Sequence, residues 1–585
     1  MIPVAPDEPS DGEPVYLGSE ERPWFAWLHR TAAPIDTGVG LVIVPPFGFE
    51  AVCAHRALRH LAIDAAAAGV AAARIDLDGT GDSAGCDLDP QRIERWIASI
   101  DAAADALRAN GASRLVFAGV RLGALLAVLC AAGRRDVAGV AAIAPVVSGR
   151  RWMREMRALQ LALALPPAAS GRIVDGDVQE VLGFPLTAAT REVLAQIDLE
   201  NMAQSPAPAV LVLDRQDLAV GAKWAAHLRE LGADVEYCRL PGYAEMVLDP
   251  HRTEIPVEII AATIAFAGAR PALDAVPSAP ALAKFSHAQL GDVFEHAVVM
   301  QGGIRAMVTR PLEGRPRSAL VLLNAGCVRR IGPNRLHVPM ARRLAAELGM
   351  MVVRADLSGI GDSPPHAGLV ENLVYHEHAL NDIQAMIQWC NGEGADEVHL
   401  AGLCSGGYYA WRAAHAGQGL RGVVVINPGA PGVPDTTSPY QAAAETARYQ
   451  EMLRSSRGWK QLRSKVRDAD ALRRLTVTFS VRARNSLQAL AKRWLRRVGV
   501  VFRDDPGISL LQLTERGIAV TFLFCASEPG LVLLRERAGD VLARLQRSGA
   551  LSLRILDGID HTFTPLWSHP ILEEELLDAL RRART

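Results

Sequence analysis

Along this chain, short β-type apolar runs alternate with longer stretches in which apolar residues recur at helical spacing. Leu41-Val42-Ile43-Val44 is followed by an alanine-rich helical pattern from Ala54 to Ala68, and Leu320-Val321-Leu322-Leu323 by a second from Val338 to Leu348. Strands of four to eight residues interleaved with such helices predict βαβ units and a mostly parallel sheet flanked by helices. Ligands gather at the carboxyl ends of the strands in these sheets.

One strand-to-helix junction carries chemistry in its own letters. The apolar residues Val398, Leu400 and Ala401 lead into Gly402-Leu403-Cys404-Ser405-Gly406-Gly407, and a helix-like stretch runs on from Tyr408 to Ala414. In a G-x-Nu-x-G elbow the turn is sharp and strained, so small residues are needed two before and two after the nucleophile. That register makes Cys404 the nucleophile rather than Ser405. The same device stands earlier as Gly119-Val120-Arg121-Leu122-Gly123, after Leu115-Val116-Phe117-Ala118, with an arginine at the nucleophile position.

The repetition extends beyond the elbows. Arg74-Ile75-Asp76-Leu77-Asp78-Gly79-Thr80-Gly81-Asp82-Ser83 recurs as Arg354-Ala355-Asp356-Leu357-Ser358-Gly359-Ile360-Gly361-Asp362-Ser363. Pro241-Gly242-Tyr243-Ala244-Glu245 corresponds to Asp557-Gly558-Ile559-Asp560-His561 in the same order. This predicts a tandem duplication: a first domain over 1–268, a linker over 269–286 rich in Ala and Pro, and a second domain over 287–585. The spacing between copies widens after the elbows, which predicts an insertion of roughly thirty residues in the second copy, forming a helical lid at about 435–505.

Composition narrows the setting. The 585 residues exceed one ordinary core and are half apolar, which predicts two folded domains. A formal charge of -2 argues against wholesale nucleic-acid binding. Eight scattered cysteines show no C-x-x-C pair, so neither a disulfide framework nor a zinc site is suggested, and a reducing, cytoplasmic setting is expected. Met1 to Pro14 lacks the basic start and apolar stretch of a secretory signal, and apolar runs such as Val137 to Val147 are too short to span a bilayer.

With these motifs in hand, each half resembles an α/β-hydrolase of the serine-aminopeptidase-like type. The first half, with Pro45-Pro46-Phe47-Gly48 and the Gly-x-Arg-Leu-Gly-Ala elbow from Gly119 to Ala124, is similar to one of the two hydrolases that accompany exosortase systems. The second half, with its Gly-Leu-Cys elbow, resembles the other. The resemblance implies two tandem α/β-hydrolase domains and an activity through an acyl-enzyme. It also implies a histidine near the C-terminus, which His561 supplies, and an acid between nucleophile and histidine just after a late strand. Glu528, after Ala519-Val520-Thr521-Phe522-Leu523-Phe524, is the preferred acid; Asp557 and Asp540 are the alternatives.

A thiol nucleophile also needs amide donors for the oxyanion formed on attack. The backbone amide of Ser405 and one from Asn324-Ala325-Gly326-Cys327, at Gly326 or Cys327, are expected to serve. Because the acyl-enzyme would be a thioester, the preferred substrates are acyl thioesters presented by an acyl carrier protein or coenzyme A. Hydrolysis and transfer both stay open, as do activated esters and lactones. No cofactor or metal is implied: His376-Glu377-His378 has the wrong spacing for a metal pair and reads as a solvated helix face.

The predicted lid is basic, with Arg454, Arg457, Lys460, Arg463, Lys465, Arg467, Lys492, Arg493, Arg496 and Arg497. It would suit an acidic carrier or a phosphate-bearing substrate, or simply be a solvated face. Membrane-surface binding through Trp459 and Trp494 is the weakest reading. In the first half, arginine stays protonated and is no nucleophile, so no acyl transfer is expected there. Arg121 and Glu245, the residue aligned with His561, are expected to form an ion pair that Asp217 joins. The competing reading of the whole chain is a non-catalytic binding protein whose thiol is incidental.

Overall fold

The computed structural model describes residues 12–31, 37–163, 177–271, 284–417, 419–428, 487–496, 498, 500 and 505–584. The chain divides into two compact units. Among the described residues, one comprises those within 12–163, 177–298 and Asn334–Pro339; the other comprises those within Val299–Pro333 and 340–584.

In the first unit the strands are β1 (Glu13–Gly18), β2 (Pro23–His29), β3 (Val39–Val44), β4 (Ala71–Ile75), β5 (Arg114–Val120), β6 (Val137–Ile143), the small hairpin β7 (Val178–Val181) and β8 (Phe184–Thr187), β9 (Ala209–Leu213), β10 (Asp234–Cys238) and β11 (Lys284–Phe285). The main sheet runs β10-β9-β6-β5-β3-β4-β2-β1-β11. From β10 to β4 neighbours are parallel, and β2 and β1 close one side antiparallel. The central strands are buried along their whole length, so they read as continuous apolar runs such as Val39–Val44. Alanine-rich helices cover both faces, Phe49–Ala67 on one and Arg92–Ala109 on the other, and two apolar cores result.

After the antiparallel hairpin β12 (His287–Leu290) and β13 (Val293–Val299), the second unit has β14 (Arg305–Pro311), β15 (Ser318–Leu323), β16 (Met351–Ala355), β17 (Glu397–Leu403), β18 (Leu420–Ile426), β19 (Ala519–Cys525) and β20 (Leu551–Leu556). Their order is β14-β16-β15-β17-β18-β19-β20, with β14 antiparallel and the rest parallel. This repeats the order β2-β4-β3-β5-β6-β9-β10 of the first unit. Even a shift in strand register recurs at the same place, at Leu115/Val116 and at Val398/His399.

The recurring Asp-x-x-Gly-x-Gly-Asp-Ser segment makes the same bonds in both units. Asp76 accepts from the amide of Asp82 at 2.9 Å and Asp356 from that of Asp362 at 3.1 Å. Ser83 and Ser363 each donate to the carbonyl of that aspartate and accept a strand amide, from Phe25 and Arg305 respectively. Gly81 and Gly361 adopt positive φ beside the carboxylate, where a side chain would collide with it. The segment is loop architecture shared by both units.

All eight cysteines are free thiols. No helix among the described residues is long and apolar enough to cross a membrane. Most of the predicted linker, 272–283, and nearly all of the predicted lid, with Arg454, Arg457, Lys460, Arg463, Lys465, Arg467, Arg497 and Trp459, lie outside the described residues.

Candidate active site

The second unit's elbow is built by exclusion of side chains. β17 ends at Leu403, and the helix Ser405–Ala416 begins two residues later. A Cβ on Gly402 would collide with the backbone of Gly406, and one on Gly406 would lie 2.7 Å from the carbonyl oxygen of Asn324. So tight a turn forces Cys404 to φ 59°, ψ -119°, a conformation that costs a non-glycine residue about 1–3 kcal/mol. It also lifts the thiol, half-buried, above the carboxyl edge of the sheet at the N-terminus of a helix.

The structure brings Cys404, His561 and Glu528 together. Nδ1 of His561 lies 2.8 Å from Oε1 of Glu528, and the imidazole is also hydrogen-bonded to the Cys404 side chain. With Nδ1 engaged by the carboxylate, Nε2 is the nitrogen left for the sulfur. Glu528 is buried at the N-terminal boundary of the helix Pro529–Arg547, three residues past the end of β19. Burial pushes the His561 pKa down, but the Cys404 hydrogen bond and the negative charges of Cys404 and Glu528 outweigh it and hold the ring well above its ordinary 6.5. The alternative acids stand elsewhere. Asp540 is engaged by Arg493 and Arg496, and Asp557 is exposed.

A residue that sequence reasoning passed over holds the histidine loop. Asn427, fully buried just past β18, accepts from the amide of Cys525 at 2.8 Å and donates to the carbonyl of His561 at 2.8 Å and to the Cys525 sulfur at 3.1 Å. It ties the end of the strand that leads to the acid to the loop that carries the imidazole. Its one available signal was position, immediately after an apolar strand. On the other side of the ring Asp560 accepts from the amide and hydroxyl of Thr564, at 2.8 and 2.6 Å, which closes the loop.

The expected oxyanion loop differs in one respect. The amide of Gly326 donates to the Ser405 hydroxyl at 2.8 Å, so it is committed to a side chain rather than presented to a substrate. Ser405 follows the nucleophile and starts the helix, where backbone amides have no intrahelical partner. Cys327 is buried, and its thiol donates to the carbonyl of Asn372 at 3.3 Å. His376 and His378 are not on a helix: they precede Ala379–Gly392, and their rings group with His366 at 6.1 and 5.3 Å. Burial lowers the His376 pKa. Among the described residues no group of three or more His, Cys, Asp or Glu side chains is placed to hold a metal ion.

In the first unit the elbow geometry persists and its chemistry is replaced. Arg121 sits at φ 54°, ψ -118°, yet its partners are not those expected from alignment. Its Nε donates to Glu50 at 2.9 Å and its Nη2 to Glu155 at 2.6 Å. Glu245 is exposed and makes no ion pair with it. Asp217 pairs instead with Arg215, at 2.6 Å. The expected Arg121–Glu245 pair fails because Tyr243, two residues earlier on the same short helix Tyr243–Met246, turns inward to Glu50 while Glu245 turns to solvent.

Comparison with known proteins agrees with this architecture. Residues 320–573, somewhat less than half of the chain, match the model of the alpha/beta hydrolase family. No curated protein matches the chain. Similar solved structures include the esterase Pf2001 of Pyrococcus furiosus, 10% identical, covering 49% of this chain and 91% of that one at a TM-score of 0.30. Est1E of Butyrivibrio proteoclasticus with bound ferulic acid is 17% identical, covering 43% and 96% at 0.31. A proline iminopeptidase of Mycobacterium smegmatis is 15% identical, covering 49% and 98% at 0.31. The C-terminal half has the alpha/beta-hydrolase fold.

Proposed function

We propose that the C-terminal unit is an acyl hydrolase or acyltransferase that works through a thioester on Cys404, with acyl thioesters of coenzyme A or an acyl carrier protein as its substrates. The observation that carries this reading is the chain of contacts from the Cys404 thiol to His561 and on to Glu528. His561 holds the proton on Nε2 as the Cys404 sulfur attacks the acyl carbonyl, and Glu528 stabilises the imidazolium. The amides of Ser405 and of Cys327 receive the oxyanion. When the tetrahedral adduct collapses, the carbonyl–sulfur bond of the substrate breaks and its thiol leaves with the proton from His561. An acceptor then gives its proton to the same nitrogen, attacks the thioester and frees Cys404. Water as acceptor gives the acid; an amine or hydroxyl gives transfer.

The thioester preference rests on chemical matching: sulfur replaces sulfur in the first step, so acyl-enzyme formation is nearly balanced in free energy. A general esterase or lactonase is the second reading, and the family match supports a general esterase more than it supports a cysteine nucleophile. The same strand order in both units supports reading the chain as two copies of one fold, with the first copy unable to catalyse acyl transfer because a guanidinium occupies the nucleophile position.

Iodoacetamide labelling with peptide mapping tests the reading. Fast labelling confined to Cys404 and slowed at least tenfold in His561→Ala supports it. Labelling no faster than at the other thiols supports a non-catalytic binder. Turnover of an acyl-coenzyme A against a short-chain nitrophenyl ester then separates thioesterase from general esterase.

A further inference from the structure

The replaced site of the first unit contains more acid than its arginines need. Arg121 bonds Glu50 at 2.9 Å, and Arg215 bonds Asp217 at 3.0 and 2.6 Å, which gives each guanidinium its own carboxylate. Glu155 is a third carboxylate shared between them. One of its oxygens takes Nη2 of Arg121 at 2.6 Å and the other takes Nη1 of Arg215 at 3.2 Å. The Glu155 side chain is 45% exposed, on the helix Gly149–Leu163, whereas that of Arg121 is 3% exposed.

We propose that the first unit binds a carboxylate-bearing ligand between Arg121 and Arg215, in the place that Glu155 now holds. Three features point there. The two guanidiniums stand above β5 and β9, at the carboxyl edge of the sheet where such folds bind their ligands. Their spacing already fits one carboxylate across two N–H donors, since Glu155 demonstrates the fit. Departure of Glu155 strands no buried charge, because Glu50 and Asp217 keep both arginines paired and Glu155 itself turns to water. The ring of Tyr243 completes the wall, with its hydroxyl on Glu50 at 3.3 Å and the Arg215 guanidinium 5.5 Å from its centroid. Burial lowers the Arg121 pKa, but Glu50, Tyr243 and Glu155 beside it raise it by more, so the guanidinium stays charged. Glu155 is thus an internal occupant, held until a ligand of the same chemistry displaces it.

The test is calorimetric titration of the full chain with octanoate and with inorganic phosphate, in the wild type, Glu155→Ala, Arg215→Gln and Cys404→Ala. The wild type should bind octanoate saturably, Glu155→Ala at least tenfold more tightly, and Arg215→Gln at least tenfold more weakly. Cys404→Ala should match the wild type, which separates this site from the candidate active site. Equal octanoate affinity in Glu155→Ala and wild type, no saturable binding in Glu155→Ala, loss of binding in Cys404→Ala, or tighter binding of phosphate than of octanoate would each overturn the proposal. Both substituted side chains in the first unit are partly exposed, so the fold should tolerate their replacement.

Discussion

Cys404 and Arg121 share one strained backbone conformation, φ 59°, ψ -119° and φ 54°, ψ -118°, although one is a thiol and the other a guanidinium. The strain belongs to the elbow, and each unit retains it for a different reason. In the second unit the Cys404 side chain contributes its contact with His561, and Cys404→Gly should relieve strain at the loss of that contact. After the extra entropy of the unfolded glycine, a gain of about 1 kcal/mol is expected together with complete loss of acyl turnover. Arg121→Gly relieves the same strain but leaves the half-buried Glu50 carboxylate without its cation. It should cost a net 2 kcal/mol or so. Denaturant unfolding of both variants checks the opposite signs.

The pH dependence of turnover follows from His561. Burial lowers the pKa of the ring, and the contacts with Cys404 and Glu528 more than reverse this, so the folded value lies well above 6.5. The imidazolium therefore persists as pH rises through 6.5, and the proton needed by the leaving group is lost only above the raised value. The alkaline limb of kcat/KM should lie well above pH 6.5. Glu528→Gln removes one of the raising charges, so the limb should move to lower pH and the rate at pH 8 fall by roughly 10²–10⁴-fold. A limb left in place by this substitution would separate Glu528 from the reaction.

The elements and both elbows are legible in the sequence because their causes are local: apolar runs, small residues around a sharp turn, an acid just after a strand. What escaped notice depends on contacts that no spacing encodes. Arg121 finds Glu50 and Glu155, 71 and 34 positions away, instead of the aligned Glu245. The Gly326 amide turns to the Ser405 hydroxyl because helix and loop happen to meet there. Asn427 is a third case, one polar residue after a strand whose role appears only when the His561 loop closes over it.

For Asn427 this gives a measurable consequence. Its amide bridges the Cys525 amide and the His561 carbonyl, so Asn427→Ala should leave the imidazole mobile. We expect kcat to fall by about 10- to 100-fold with KM little changed, since geometry within about 1 Å governs proton transfer. The alkaline limb should drop toward pH 6.5 as the ring loses its contacts with Cys404 and Glu528. A structural role alone would lower stability without moving that limb.

His399 supplies a prediction about stability. It is buried within β17, the strand that delivers Cys404, and neither ring nitrogen has a hydrogen-bond partner. Burial, helped by Arg584 and Arg421, lowers its pKa to about 4. Between that value and 6.5 the unfolded chain binds the proton and the folded one does not, so stability is fully present above pH 6.5 and is lost as pH falls toward 4. The ceiling on this loss is roughly 3 kcal/mol. His399→Leu should flatten the acid limb of the stability profile while leaving neutral stability within about 1 kcal/mol.

The Ser405 hydroxyl separates two things that cysteine chemistry usually joins. Alkylation by iodoacetamide needs a nucleophilic sulfur but develops no oxyanion, whereas acyl transfer needs both. Ser405 holds the loop Asn324–Cys327 through the Gly326 amide at 2.8 Å, whereas His561 Nδ1 is engaged by Glu528. Ser405→Ala should therefore leave the rate of Cys404 alkylation within about twofold while lowering acyl turnover by 10-fold or more, the loss typical of a displaced oxyanion donor. Equal losses in both measurements would mean that the hydroxyl acts on the thiol, and unchanged turnover would remove the 324–327 loop from the oxyanion site.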